Sequence, residues 1–317
     1  MNFCTLFDSN YATRGLAMYN SLVGHCEDFT LYILAFDNEV MHILHQLKLP
    51  NVYVISMDEF EDERIKSVKK TRTRGEYCWT CSSLLIRYVI QKYELREVTY
   101  LDSDLYFFNT PQILLKELYS SGKDVLITEH RYTHEYDQTN TSGKYCVQFM
   151  TFRATENGMH ILNWWCERCM EWCYNRMEDG KFGDQKYLDD WTARFKGVYV
   201  LRHLGGGVAP WNVQQYAVSF GPKVNELPIV FYHFHGFRWY SNNIYNLSDY
   251  RLTEQIVENI YSPYIVALND ALDIVRETYN KSFSLGVAGP TLLEWAKISA
   301  KYLLKKLCAH DNNILIR

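Results

Sequence analysis

Short apolar runs alternate with helix-like segments along the first half of the chain. This alternation is typical of βαβ units, in which helices connect parallel strands, so it predicts an α/β fold with a parallel sheet. The helices predicted in this part are Arg14–Val23, Ser82–Gln91 and a long aromatic helix from about Gly158 to Arg176. The predicted strands are Asn2–Phe7, Phe29–Phe36, Val52–Ile55, Val98–Leu101, Val125–Thr128, Val147–Phe152, Val198–Leu201 and Ile229–Tyr232.

From about residue 247 the hydrophobic pattern becomes helical. The predicted helices are Leu252–Tyr261, Val266–Tyr279 and Thr291–Leu307, the last of them after a Gly-Pro break. We therefore divide the chain into a catalytic-sized body, residues 1–246, and a helical C-terminal extension, residues 247–317. In Thr291–Leu307, apolar residues are interleaved with lysines. Such a basic amphipathic helix can lie on an anionic membrane surface or pack on the body, and both interpretations remain open.

Composition and charge exclude several classes of protein. The chain has 317 residues, of which 47% are hydrophobic and 22% are charged, with a net charge of -4. This composition is that of a globular protein rather than a disordered one, and the lack of a basic excess predicts no nucleic-acid partner. The N-terminus shows no signal-peptide pattern and no stretch is long and apolar enough to span a membrane. We therefore expect a cytoplasmic protein.

Nine cysteines, an odd number, predict reduced thiols rather than a disulfide framework. The pairs Cys78/Cys81 and Cys166/Cys169, with Cys173 nearby, have the spacing of zinc ligands. The same spacing places them on one face of a helix, where cysteine packs as a small hydrophobic residue. The tryptophans around the second pair favour packing.

Two further groups of residues admit both a functional and a structural interpretation. His130 and His134 have the spacing of helical metal ligands, but their segment is predicted to be a loop after a strand. The charge-dense stretch Glu61–Arg74 is either a solvated surface or a cationic loop over a phosphate site. For both groups the structural interpretation is favoured.

The clearest chemical signal is Asp102-Ser103-Asp104, which directly follows a predicted strand. Two carboxylates at this spacing can hold a hard divalent cation, and ligands bind at the carboxyl ends of strands in open α/β folds. Such a cation bridges the oxygens of a diphosphate. Four other motifs accompany it in the sequence: Asp8-Ser9-Asn10-Tyr11, Gly183-Asp184-Gln185, Gly205-Gly206-Gly207 and His233-Phe234-His235-Gly236.

The chain resembles the GT-A nucleotide-sugar glycosyltransferases in the order and spacing of four of these motifs, those of Asp8–Tyr11, Asp102–Asp104, Asp184–Gln185 and His233–Gly236. The resemblance is to the glycogenin and lipopolysaccharide galactosyltransferase-like group and to bacterial capsule or O-antigen relatives, and it covers roughly residues 1–240. It implies a Rossmann-like GT-A fold with a mixed, mainly parallel sheet and helices on both faces. It also implies transfer of a sugar from a nucleotide diphosphate sugar, with a UDP-sugar favoured, to a glycan or lipid-linked glycan acceptor in bacterial surface polysaccharide or lipopolysaccharide assembly.

The resemblance assigns roles to individual residues. It implies that Mn²⁺ or Mg²⁺ is held by Asp102, Asp104 and His233, and that Asp184 and Gln185 lie beside the transferring sugar. The residues that it places at the donor nucleotide or sugar are Asp8, Asn10, Tyr11, Arg87, Asp102, Gly206, His235 and Gly236. Structural alternatives remain for four of these residues: a solvated helix face for Arg87, a helix N-cap for Asp184, core packing for His235 and a tight turn for Gly206.

One motif departs from the family pattern. Where an Asn-x-Gly-like element is expected before the long helix, this chain has Cys146-Val147-Gln148. The donor sugar therefore stays open, as does the choice between retention and inversion, although the resemblance favours retention. Two other functions remain. A sugar-nucleotide nucleotidyltransferase would be expected to carry a glycine-rich loop after the first strand, and Asp8–Arg14 lacks one. A catalytically silent nucleotide-sugar-binding protein is the second alternative.

Overall fold

The computed structural model describes residues 1–240, 244–279, 291–297, 299–300 and 314–316. The helices are α1 (Ala12–His25), α2 (Asn38–Leu47), α3 (Met57–Phe60), α4 (Glu63–Lys69), α5 (Arg74–Lys92), α6 (Gln112–Ser121), α7 (Thr139–Ser142), α8 (Glu156–Glu171), α9 (Trp191–Arg194), α10 (Glu254–Ile256) and α11 (Ser262–Thr278). The strands are β1 (Asn2–Phe7), β2 (Thr30–Ala35), β3 (Val52–Ser56), β4 (Glu97–Leu101), β5 (Leu105–Phe107), β6 (Val125–Glu129), β7 (Tyr145–Arg153), β8 (Val198–Val200), β9 (Val218–Ser219), β10 (Lys223–Val224), β11 (Leu227–Pro228), β12 (Phe231–His233), β13 (Arg238–Tyr240), β14 (Ile244–Asn246) and β15 (Ile314–Ile316).

Seven strands form the central sheet in the order β3-β2-β1-β4-β7-β6-β8. Only β7 runs antiparallel to its neighbours, β4 and β6, and the other four pairings in this sheet are parallel. The predicted α/β fold with a mixed, mainly parallel sheet is therefore confirmed.

Strand β1 shows how the sheet separates two hydrophobic cores. Phe3 and Phe7 pack in one core with residues of α1, α2, α6 and α11, whereas Cys4 and Leu6 pack in the other with α5 and α8. This follows from the strand period of two, which sends alternate side chains to opposite faces. Helices therefore cover both faces of the sheet, as expected.

Some boundaries differ from the prediction. Helix α5 begins eight residues before the predicted start at Ser82, because Thr73 and Glu76 form a capping box in the charged stretch. Helix α8 ends at Glu171 rather than near Arg176, because the backbone of Trp172 is extended. Helices α2 and α6 were not predicted.

Residues 247–279 pack into the same core as residues 1–246. Tyr264 and Leu268 of α11 are buried with Leu16 of α1, so residues 247–279 complete one side of the sheet. Of the predicted helix Thr291–Leu307, residues 292–297 and 299–300 are helical, and Ile298 and residues 301–307 lie outside the described residues. Strand β15, in the segment predicted to be helical, pairs antiparallel with β14. Within the described parts of the chain, no helix combines the length and the apolar character that crossing a bilayer requires.

The two CxxC pairs lie on α5 and α8. Cys81, Cys166 and Cys169 are buried in the core that these helices share, and Cys173 is also buried. All are free thiols. They fill space between the helices, in agreement with the packing interpretation.

Candidate active site

One edge of the central sheet collects the polar residues that follow its strands. Asp8 follows β1, Asp102 follows β4 and His130 follows β6, while Cys146 lies near the start of the antiparallel β7. A cavity of about 730 Å³ opens at this edge, a size typical of small-molecule sites. The predicted site residues that line it are Asp8, Tyr11, Asp102, Asp104, Asp184, Gln185, His233 and His235.

The pairing of two short strands brings His233 to the aspartate pair. Strand β12 is antiparallel to β5, and His233 lies opposite Leu105, directly after Asp104. The Nε2 atom of His233 is 3.2 Å from Oδ1 of Asp104 and 3.7 Å from Oδ2 of Asp102. Residues that are far apart in the sequence therefore present three ligand atoms to one point.

The chemistry of this group fits a divalent cation. One ligand atom from each of Asp102, Asp104 and His233 lies within 4.8 Å of the other two. Among the residues that the structure describes, these three form the one such group of potential metal ligands. Carboxylate oxygens with one imidazole suit Mn²⁺, and carboxylates suit Mg²⁺. The Nδ1 atom of His233 lies 2.7 Å from Oε1 of Gln148, so Nε2 faces the carboxylates.

The charges of the three groups are strongly interdependent. Burial raises the pKa of Asp102 to about 6, although His233 opposes this shift. Burial would also raise the pKa of Asp104, but the adjacent His233 lowers it to about 2. Although burial disfavours the imidazolium, the carboxylate of Asp104 holds the pKa of His233 well above its ordinary value. In the absence of a metal, a proton on His233 therefore offsets the aspartate charge.

Asp184 and Gln185 form another part of the cavity wall. Burial, with the nearby Asp102, raises the pKa of Asp184 to about 8, so its carboxyl group is mainly protonated at neutral pH. The backbone carbonyl of Asp184 accepts a hydrogen bond from Trp165, which fixes its position. Gln185 Nε2 donates to the carbonyl of Ser142 on α7 at 2.7 Å. Gln185, not Asp184, is the N-cap of the short helical turn that follows, so the capping interpretation of Asp184 is wrong.

The end of β1 forms the part of the cavity where the nucleobase was expected. Tyr11 is partly exposed there, and the guanidinium of Arg14 lies 4.6 Å from the centre of its ring. Asp8 pairs with Nε of Arg74 at 2.6 Å. Asn10 is exposed and does not line the cavity, but its amide donates to Asp8 at 3.4 Å.

Arg74 is the arginine that lines the cavity, and the sequence analysis named it only as the end of the charge-dense stretch Glu61–Arg74, for which a cationic loop over a phosphate site was the less favoured interpretation. It is the first residue of α5. Besides Asp8 at the end of β1, its guanidinium contacts the carboxylate of Asp37, which follows β2, at 2.8 Å. The signal that was available is the capping box that begins α5. It places the side chain of Arg74 at the sheet edge.

The structure places Arg87, which the resemblance assigned to the donor, away from the cavity. Arg87 does not line the cavity, and its guanidinium lies 3.8 Å from Glu167 on α8. Arg74, Cys78 and Ser82 line the cavity from α5. At about 100° per residue, Arg87 lies about 180° around the helix from Cys78, on the opposite face.

Two of the predicted glycines also lie outside the cavity. A Cβ atom on Gly206 would be 2.5 Å from Leu201, so this glycine allows close apolar packing, and it does not line the cavity. Gly236 adopts a φ of +75° in the turn after β12 and does not line the cavity. Its neighbour His235 is exposed and does line it.

Aromatic residues that the sequence did not single out as site residues form the β6 end of the cavity. Tyr132, Trp211 and Tyr250 line it, and the ring centre of Trp211 lies 5.3 Å from that of His233. His130 stacks on Tyr132, and burial lowers its pKa to about 3, so it stays neutral. His134 lies in a separate helical turn outside the cavity, so the two histidines do not form a metal pair.

Comparison with known proteins identifies relatives across nearly the whole chain. No protein-family profile matches the sequence. The protein YfnD of Bacillus subtilis is 30% identical over 292 residues, which cover 88% of this chain and 92% of YfnD. The protein YfnF of the same organism is 31% identical, over 86% of this chain and 94% of YfnF. The chain belongs to the YfnD/YfnF family. Both of these relatives are uncharacterized proteins.

Solved structures relate this YfnD/YfnF family member to glycosyltransferases by fold. The galactosyltransferase LgtC, solved with donor and acceptor sugar analogs, superposes with a TM-score of 0.53 at 12% identity, over 85% of this chain and 96% of LgtC. The bifunctional glycosyltransferase WbbM also gives 0.53, at 14% identity, over 88% of this chain and 51% of WbbM. The chain therefore has the GT-A fold.

Proposed function

We propose that this chain is a metal-dependent glycosyltransferase. It transfers a sugar from a nucleotide diphosphate sugar, a UDP-sugar, to a hydroxyl group of a glycan or lipid-linked glycan. The observation that carries the proposal is the convergence of Asp102, Asp104 and His233 at the ligand-binding edge of a GT-A sheet. The fold is shared with LgtC, whose structure holds donor and acceptor sugar analogs.

The metal site and the nucleotide site would adjoin. Asp102, Asp104 and His233 would hold Mn²⁺ or Mg²⁺, which when bound neutralises the negative charge of a leaving diphosphate. Asp8 and Tyr11 would bind the nucleobase, and Arg74 would hold Asp8 in position and add positive charge near the phosphates.

Asp184 and Gln185 would act on the sugar. A protonated Asp184 can donate a hydrogen bond to a sugar oxygen, and Gln185, held through its Nε2 by Ser142, can present Oε1 to a sugar hydroxyl. A second LgtC structure is that of an active-site mutant in which glutamine is replaced by glutamate, which supports a role for a glutamine there.

During transfer, the bond between the anomeric carbon and the diphosphate oxygen breaks and a bond to the acceptor oxygen forms. The acceptor hydroxyl gives its proton to the departing oxygen of the nucleoside diphosphate, which leaves with the electron pair of the broken bond. Alignment of the two substrates and fixed charges around the leaving group supply most of the rate enhancement. The resemblance favours retention at the anomeric carbon, which requires the acceptor to approach from the face that the diphosphate leaves.

A donor screen tests the proposal. Thermal shifts of the protein with UDP-, GDP- and CDP-sugars in Mn²⁺ should identify the donor, because a ligand that binds the folded state raises the melting temperature. We expect the UDP-sugars to give the largest shift and UDP to be released slowly without an acceptor. Turnover of pyrophosphate would instead indicate a nucleotidyltransferase, and donor binding without any turnover a silent binding protein.

The variant Asp104→Asn tests the metal site. It removes a ligand charge with little change in volume, so we expect donor hydrolysis to fall at least 100-fold, on the order of the effect of losing one strong electrostatic contact. Chelation of wild-type protein with EDTA should have the same effect. The matched control is Asp273→Asn, an exposed aspartate on α11, which should keep wild-type activity. Full hydrolysis by Asp104→Asn would contradict the metal role.

We also propose that the predicted helix Thr291–Leu307 contacts an anionic membrane surface on the cytoplasmic side, where lipid-linked acceptors for surface polysaccharides would be available. In its described part, Leu292 is 90% exposed and Leu293 is 67% exposed. Exposed leucines beside lysines favour such a contact.

Sedimentation with anionic phospholipid vesicles tests this contact. The double variant Leu292→Ser/Leu293→Ser should lose most of the vesicle-bound fraction, because it removes the apolar side chains that would enter the interface. Val23→Ser, at an exposed position on α1, is the control. Equal binding by both variants and wild type would leave the helix without a membrane role.

A further inference from the structure

We propose that Gln148 is a positioning residue that fixes the tautomer of His233 and keeps its Nε2 atom available to a metal. The inference rests on the proposed metal-dependent function. It also assigns a role to the segment Cys146–Gln148, where the sequence departs from the expected family pattern.

The backbone carbonyl of Cys146 can only accept hydrogen bonds. The hydroxyl of Thr128 lies 3.2 Å from this carbonyl oxygen and must donate its single hydrogen to it. Strands β6 and β7 place Thr128 opposite Cys146, after a register shift between Leu126 and Thr128. Such irregularities redirect side chains locally. The hydroxyl oxygen of Thr128 can then only accept from other neighbours.

This constraint fixes the orientation of the Gln148 amide. Gln148 lies two residues after Cys146 on β7, with its amide 3.4 Å from the Thr128 hydroxyl oxygen. Because that oxygen must accept, the amide presents Nε2 to Thr128 and Oε1 to His233. The Oε1 atom, which cannot donate, lies 2.7 Å from Nδ1 of His233. Nδ1 therefore carries the hydrogen.

In the neutral imidazole ring, only one nitrogen carries a hydrogen. With Nδ1 protonated, the lone pair is on Nε2, the atom 3.2 Å from Asp104 and 3.7 Å from Asp102. The series of hydrogen bonds that runs from the Cys146 carbonyl through Thr128 and Gln148 to His233 thus directs the unprotonated Nε2 atom towards the metal site. Metal-binding histidines commonly have such an acceptor behind the ring.

Burial restricts the hydrogen-bond partners that these side chains can find. Gln148 and Thr128 are fully buried, and His233 is nearly so, which leaves little access for water to substitute for a partner. The buried thiol of Cys146 is a further hydrogen-bond partner of His233. Gly207 makes room for the amide: its φ is +84°, and a Cβ atom there would lie 3.1 Å from Nε2 of Gln148. A flipped amide would turn its NH₂ group to Nδ1 and leave Oε1 facing the oxygen of Thr128, whose one hydrogen is already donated to the Cys146 carbonyl.

Metal affinity tests the inference directly. We expect Gln148→Met, which keeps the length of the side chain but has no oxygen, to weaken Mn²⁺ binding about 10- to 100-fold by calorimetry, as loss of such partners does elsewhere. Gln148→Glu keeps an acceptor and should stay within a few-fold of wild type. The control Thr151→Val removes a different buried hydroxyl on β7, which contacts Thr99 at 2.8 Å, and should leave affinity unchanged.

Nitrogen-15 NMR of histidine in the Mg²⁺-loaded protein gives a second, non-enzymatic measurement. We expect a hydrogen-bonded Nδ1–H signal from His233 in wild type and in Gln148→Glu, shifted upfield in Gln148→Met. Wild-type affinity in Gln148→Met, or an Nδ1 without hydrogen in wild type, would overturn the inference and leave the proposed function standing. Wild-type protein that binds neither Mn²⁺ nor Mg²⁺ would overturn both.

Discussion

At the scale of single residues, the cavity holds carboxyl groups with opposite protonation behaviour. The pKa of Asp104 is lowered to about 2 beside His233, whereas burial raises that of Asp184 to about 8. Different environments can thus give two carboxyl groups in one site different roles. Asp104 is suited to bind a cation, and Asp184 is suited to donate a hydrogen bond at neutral pH.

The pH dependence of stability tests the state of Asp184. Between its ordinary pKa of 3.8 and the folded value of about 8, the unfolded chain has lost a proton that the folded protein retains. Stability should therefore fall as pH rises through this window and level off above it. Asp184→Asn cannot ionise, so it should gain stability relative to wild type as pH rises from 5 to 8, by on the order of 1 kcal/mol for each pH unit.

Urea unfolding in EDTA at several pH values measures this difference. The exposed Asp273→Asn serves as the control, because its stability relative to wild type should stay constant with pH. A constant offset for Asp184→Asn as well would show that Asp184 ionises normally in the folded protein.

At the scale of elements, helix α5 has two faces with different roles. Arg74, Cys78 and Ser82 face the cavity, while Arg87 lies on the far side near Glu167 of α8. The sheet edge and the first turn of α5 together position Asp8, since Arg74 contacts both Asp8 and Asp37.

A matched pair of arginine variants tests this division of the helix. Arg74→Met should weaken UDP binding in Mn²⁺, because Asp8 loses its partner and the cavity loses a positive charge near the phosphates. We expect a roughly 3- to 10-fold increase in the dissociation constant by calorimetry, with little change in stability because the arginine is largely exposed. Arg87→Met should bind UDP as wild type does. A larger effect at Arg87 would restore its predicted donor contact.

At the scale of the whole molecule, α11 completes the core on one face of the sheet. It packs on α1, and Leu268 is buried in the same cluster as Phe3 and Phe7 of the first strand. The carboxyl-terminal part of the chain, up to residue 279, therefore supports the strand that leads into the active site.

Core truncation tests this integration. Leu268→Ala should lower the free energy of unfolding by about 2–5 kcal/mol, the usual cost of removing a buried leucine side chain. The whole molecule should still unfold in one transition, with tryptophan fluorescence and circular dichroism coinciding. Val266→Ala, at an exposed position on the same helix, should change stability by less than about 0.5 kcal/mol. A separate, early transition in Leu268→Ala would instead indicate an independent C-terminal unit.

The sequence by itself determined the features that depend on near neighbours. Periodicity and strand ends predicted the α/β fold, and local spacing predicted the pair Asp102 and Asp104. The later motif containing His233 was singled out because it follows a predicted apolar strand, and its resemblance to that of a known family implied the metal-ligand role. These signals are readable because side-chain period and chain turns are set within a few residues.

Only the tertiary structure decided which distant residues meet. The pairing of β12 with β5 places His233 beside the aspartate pair. The orientation of α5 about its axis turns Arg74, and not Arg87, towards the cavity. The register of β6 and β7 places Gln148 next to the histidine. These outcomes depend on how the helices and strands pack across the whole core, because each contact is set by elements that are far apart in the sequence. The residues around any one position therefore do not show which distant side chain it will meet.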